Sequence, residues 1–164
     1  MLTKSNYNFL QQVGLDIWQP RIDKHPLLTA GLNNTTQIIP AQIRINARCL
    51  ILQYHALHPY TPSAAETKIA CGMIGVLELQ HKDVMHAWVY AHNPDVALVN
   101  HQIDQWQPKY ILQLSMELPA LGRQNCVQTY SAAYLLQHPQ DKAQAYKSLL
   151  NLRAMLHDTS TPNP

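Results

Sequence analysis

The sequence predicts an α/β fold, a three-layer α/β/α single domain with a central, mostly parallel sheet, preceded by a flexible N-terminal segment. Three observations predict it. From residue 38 onward, short runs rich in β-branched and aromatic residues alternate with stretches of helical period, the order that lays helices over a parallel sheet. The run Cys49-Leu50-Ile51-Leu52 is apolar at consecutive positions, as in a strand covered on both faces. The chain of 164 residues is long enough for one such domain and its core.

Residues 5–13 (SNYNFLQQV) read as a short helix with Ser5 as N-cap. Gly14 stands where a left-handed residue ends it, and Leu15 can then touch Leu10. Isolated helices shorter than ~12 residues are marginal in water, so this one forms only against something else. Residues 19–36 hold two prolines, a glycine and polar spacers without helical or strand period, and read as a linker.

Across residues 38–54 (IIPAQIRINARCLILQY), Ile43, Ile45, Ala47, Cys49 and Ile51 alternate, which predicts a strand that opens the folded domain. After a proline-rich turn, Ser63 and Glu66 have capping-box spacing, and Ile69, Met73, Val76 and Leu77 recur at helical intervals behind them. Residues 84–91 (VMHAWVYA) and 109–116 (KYILQLSM) read as strands, and 127–131 (VQTYS) as the last one. No element is predicted between 91 and 108. The C-terminal part reads as one or two helical turns followed by a longer helix with Pro139 at its first position and Asp141 in its first turn. Tyr146, Leu149, Leu150 and Leu156 are its predicted apolar face, with Arg153 and His157 at its C-terminal end. The domain thus spans 37–158, behind a peptide and linker at 1–36, and residues 159–164 (TSTPNP) form a disordered tail.

A formal charge of +2 is too small for a nucleic-acid footprint, which gathers many lysines and arginines on one face. Charged residues make up 13% of the chain, about half the usual ~25%, and a surface so weakly charged suits a protein partly covered by a partner. Three scattered cysteines, Cys49, Cys71 and Cys126, read as reduced thiols of a cytoplasmic protein. No apolar run approaches the ~18 residues of a membrane span, and the N-terminus lacks a secretory pattern.

The turn after the predicted first strand, residues 55–65 (HALHPYTPSAA), has no glycine with which to cradle a phosphate. His55 and His58, and His81 and His86, lack the i, i+4 spacing of helical metal ligands, so they read as surface histidines, with no metal or cofactor expected. Cys126, Ser115 and Ser131 lie outside any nucleophile signature. The carboxylates Glu66, Glu78, Asp83, Asp95, Asp104 and Glu117 are isolated and read as solvated faces. No catalytic residue is predicted. Two alternatives stand beside that reading. One is a small hydrolase-like α/β enzyme using Cys126 or a serine with one of the nine histidines. The other is a direct single-stranded-DNA-binding module that stacks bases on Trp88, Tyr90 and Trp106.

The opening segment stands apart. Phe9, Leu10, Val13, Leu15, Ile17 and Trp18 gather large apolar side chains in a piece too short to bury them. Such a segment either folds back on its own domain or orders in a groove of another protein, with Trp18 as the anchor.

Three blocks carry a likeness to a known family: residues 9–21 (FLQQVGLDIWQPR), 38–45 (IIPAQIRI) and 134–156 (YLLQHPQDKAQAYKSLLNLRAML). On these the chain resembles the psi subunits of bacterial DNA polymerase III holoenzymes. Between residues 55 and 125 the likeness reduces to the alternating pattern. The resemblance implies a non-catalytic accessory subunit of the clamp loader, with an α/β/α domain that binds the chi subunit. It also implies a peptide that binds the collar of the gamma/tau subunits, with chi in turn holding single-stranded-DNA-binding protein. Matched residue by residue, the peptide's tryptophan falls on Trp18 and its leucine-glutamine-glutamine turn on Leu10, Gln11 and Gln12, while Val13 and Leu15 take its other apolar positions. An aromatic residue of the family's peptide is displaced here to Tyr7 or Phe9.

Overall fold

The computed structural model describes residues 36–56 and 60–158. The chain divides into two units, Met1–Asn33 and Asn34–Pro164, and the first lies outside the described residues. The second is a mixed α/β domain built on one five-stranded sheet. Its strands are β1 (Gln37–Pro40), β2 (Cys49–His55), β3 (Val84–Tyr90), β4 (Tyr110–Leu114) and β5 (Cys126–Thr129), in the spatial order β1-β3-β2-β4-β5. Three pairs are parallel, with Cys49 opposite both Val84 and Tyr110, and Ile111 opposite Cys126. β1 lies antiparallel on the outer side of β3, with Gln37 opposite Tyr90 and Pro40 opposite Ala87.

Alternation along the strands divides the core into two clusters. On one face Leu50, Leu52, Met85, Val89 and Ile111 meet Val99, Ile103 and Trp106 of helix α2 (Val96–Trp106). On the other face Cys49, Ile51, Leu112 and Leu114 form a cluster with Met73 of helix α1 (Ala64–Val76) and Leu135 of the short helix α3 (Ala132–Gln137). That cluster also takes in Ala145, Leu149, Leu152 and Leu156 of helix α4 (Lys142–His157). β2 and β4, covered on both sides, are therefore apolar almost throughout, as central parallel strands must be. The capping box at Ser63 forms, with Glu66 N–H donating to Ser63 Oγ at 3.2 Å. Arg48, just before β2, donates to the Leu156 carbonyl at the C-terminal end of α4, where a cation also suits the helix dipole.

Three expectations are corrected. Residues 38–54 are not one strand. Pro40 has no N–H with which to continue a ladder, and Asn46 turns left-handed at φ 59°. Ile43 and Ile45 consequently stand in the β1–β2 connection with 60% and 55% of their surface exposed. Second, the unassigned segment 91–108 contains α2. Asp95 caps it by accepting from the N–H groups of Ala97 and Leu98, and the Asp95 N–H itself donates to Thr36 Oγ1 at 2.8 Å. Third, the buried stripe of α4 is Ala145, Leu149, Leu152 and Leu156, whereas Tyr146 and Leu150 are 51% and 38% exposed. Pro139 belongs to a separate 3-10 turn, Pro139–Asp141, ahead of that helix. Among the described residues, no helix is long and apolar enough to cross a membrane.

Candidate functional site

The predicted peptide contacts Phe9, Leu10, Val13, Leu15, Ile17 and Trp18 lie outside the described residues, as does His58. The other candidates can be placed individually.

Cys126 opens β5 with its thiol 3.9 Å from Gln113 Oε1. Burial pushes its pKa up to about 11, against a smaller downward pull from Arg123. A thiol held protonated at neutral pH is a poor nucleophile. The Ser115 hydroxyl oxygen accepts from the N–H groups of Glu117 and Leu118 at 3.0 and 3.4 Å, and so fastens the turn after β4. Ser131 caps α3 by accepting from Tyr134 N–H. Of the three residues offered by the hydrolase alternative, Ser115 and Ser131 thus hold turns and caps, and Cys126 is a protonated thiol. The three rings offered as stacking platforms for single-stranded DNA, Trp88, Tyr90 and Trp106, are buried, and a base cannot stack on a ring without access to its face.

Several of the carboxylates are likewise committed rather than simply solvated. Asp104 pairs with Arg123 at 2.7 Å, Glu78 with Arg153 at 2.7 Å, and Asp95 caps α2. His81 lies in contact with Arg44, which donates to the His81 carbonyl at 3.2 Å and approaches its Nδ1 to 3.3 Å. His86 is not a surface residue. It is buried in β3, and desolvation, with His81 and Arg44 nearby, lowers its pKa to about 3, so it stays neutral. Among the described residues, no group of three or more His, Cys, Asp or Glu could hold a metal ion.

A polar cluster lies at the carboxyl end of β2, beside the point where α1 and α2 leave neighbouring strands toward opposite faces. Ligands of open α/β sheets settle at such divergences. There His55 stacks on Tyr60, ring centroids 3.8 Å apart, with Tyr90 at 5.9 Å on a second side. Tyr60 donates its hydroxyl proton to Glu66, whose other oxygen accepts from Ser63 N–H at 2.5 Å. Burial lowers the His55 pKa to about 4, with Glu66 pulling the other way, and His55 Nε2 has no hydrogen-bond partner among the described residues. Imidazole, phenol and carboxylate are the parts of an acid–base relay, but the connections are wrong for one. The phenol proton points to Glu66 and not to His55, and both Glu66 oxygens are engaged in holding the turn into α1. The sequence signal for this cluster was the capping-box spacing, which gave Ser63 and Glu66 but not Tyr60.

The surface also carries large apolar groups. Ile43 and Ile45 flank Arg44, whose guanidinium is folded back onto His81. On α3, Tyr134 stacks between Tyr130 at 4.7 Å and His138 at 4.2 Å, and its hydroxyl donates to Asp141 at 2.9 Å. No protein-family model, curated protein or solved structure matches the chain.

Proposed function

We propose that this chain is a non-catalytic accessory subunit of a bacterial clamp loader, of the psi type, working in the cytoplasm. Its N-terminal peptide binds the gamma/tau collar through Phe9, Leu10, Val13, Leu15, Ile17 and Trp18. Its α/β domain holds chi, and through chi single-stranded-DNA-binding protein. By favouring one collar arrangement over others the peptide shifts the population of clamp-loader conformations.

The observation that carries this reading is the exposure of Ile43 and Ile45, at 60% and 55%, within a block on which the family likeness rests. A domain able to bury Leu50, Leu112 and Leu152 completely, yet leaving two isoleucines on either side of Arg44 in water, is suited to a partner that covers them. The protonated thiol of Cys126 and the structural tasks of Ser115 and Ser131 weigh against the hydrolase alternative.

Calorimetric titration of the full chain into gamma/tau tests the peptide. Trp18→Ala is expected to weaken binding by roughly 2–4 kcal/mol, or ~30-fold to 1000-fold, as for an interface anchor. Unaltered affinity would remove the collar from the proposal. Co-expression with chi, followed by size-exclusion chromatography, tests the domain: separate elution of the two chains counts against it.

A further inference from the structure

Helix α4 carries apolar residues on two sides. The stripe of Ala145, Leu149, Leu152 and Leu156 is buried in the core. Roughly 130° around the helix runs a second stripe, Ala143, Tyr146, Leu150 and Ala154, and all four of these residues are exposed. Its steps of three, four and four residues keep it on one line over three turns, as the seam of a helix pair requires. Tyr146 and Leu150 form its centre and the two alanines its ends, where a partner's backbone can come close.

Charge decides what fits there. The helix, Lys142–His157, holds Lys142, Lys147 and Arg153 and no acidic residue. Arg153 is occupied by Glu78 at 2.7 Å. Lys142 and Lys147 are exposed and have no ion pair or hydrogen bond among the described residues. By helical spacing they border the second stripe on opposite sides, Lys142 beside Tyr146 and Lys147 beside Ala154. The preceding carboxylate, Asp141, already accepts the Tyr134 hydroxyl proton.

An apolar stripe of helical spacing between two unpaired cations fits a helix whose own apolar seam is flanked by carboxylates. We propose that the outer face of α4 docks an acidic amphipathic helix of another protein, about three turns long. Its apolar residues lie on Tyr146 and Leu150 and its carboxylates on Lys142 and Lys147. A second copy of this chain is the wrong occupant: cations flank the stripe on both sides, so either orientation brings lysine against lysine. An anionic membrane is also the wrong one, because basic helices that lie in the interface bury large side chains, and half of this stripe is alanine. The docking is independent of the N-terminal peptide. Its test uses neither gamma/tau nor chi, so either reading can fail without the other.

The test is a ¹⁵N NMR titration of the full chain with a synthetic peptide of about five helical turns, its leucine–alanine seam flanked by glutamates. The control is the same peptide with lysines in their place. Saturable shifts are expected in the backbone amides of residues 143–154, with the lysine peptide at least about 10-fold weaker. Tyr146→Ala is expected to weaken the glutamate peptide about 10-fold or more at an unchanged thermal midpoint. The double variant Lys142→Glu, Lys147→Glu is expected to reverse the preference and favour the lysine peptide. Absence of saturable shifts, equal affinity for the two peptides, or a preference that survives the charge reversal would overturn the proposal. Concentration-dependent shifts of the same amides in the chain alone would overturn it in favour of a second copy. Tighter binding to phosphatidylglycerol vesicles than to the glutamate peptide would overturn it in favour of a membrane.

Discussion

Glu66 organises the head of α1. Its oxygens receive the Tyr60 hydroxyl and the Ser63 N–H, and its own N–H reaches back to Ser63 Oγ. Burial raises its pKa, but the hydrogen bonds from Tyr60 and Ser63 outweigh that and hold it below the ordinary value. Ser63→Ala removes one acceptor and is expected to cost ~1 kcal/mol, read as a lower urea midpoint at constant slope. His55 and His86 set the acid limit of the domain. Their folded-state pKa values, about 4 and about 3, lie below the ordinary 6.5, so the unfolded chain binds more protons in this interval. Stability intact above pH 6.5 is therefore lost as the pH falls toward 4. Near pH 5 unfolding takes up about two protons, a slope of up to ~2–3 kcal/mol per pH unit, discounted because solvent still reaches His55. Urea unfolding at pH 7 and pH 5 checks this, and coincident midpoints would contradict it. The capping box was legible because its residues are local in sequence. The burial of His86 was not, because it depends on what covers β3.

At the scale of elements, α4 shows where a periodic pattern stops being decisive. Leu149 and Leu156 belong to two overlapping stripes, one with Tyr146 and Leu150 and one with Ala145 and Leu152, and helical spacing permits both. Only the direction of the sheet chooses between them. Leu152→Ala is expected to cost roughly 2–4 kcal/mol as it opens a cavity in a closed core. Tyr146→Ala, on the exposed side, should stay within ~0.5 kcal/mol. Equal losses in thermal or urea unfolding would return the helix to the other orientation. β3 was legible from its valine and aromatic content, VMHAWVY, and β4 from the apolar YILQL, whereas β5 offers only the short CVQT. In α2, Asp95, Val99, Ile103 and Trp106 stand at cap and core spacing, but histidine and glutamine crowd the positions between them and mask the pattern. The break between β1 and β2 was hidden by alternation that runs through Ile43 and Ile45 into a loop, where alternation has no structural meaning.

For the whole molecule, the parallel centre was readable from the strand–helix rhythm, and the placement of β1 was not. Nothing local in residues 37–40 says that they join β3 antiparallel, rather than β2, which follows them in the chain. That placement has a kinetic consequence. Gln37 finds its partner at Tyr90, so β1 has no ladder to join until β2, α1 and β3 are in position, and it closes a long loop when it docks. It also has a neighbour on one side only, and Pro40 withholds an N–H from its last step. β1 is thus expected to be the last strand to lock during refolding and the first to open in the native state. In deuterium-exchange experiments its amides should exchange through a local opening at lower free energy than those of β2, whose exchange should require global unfolding.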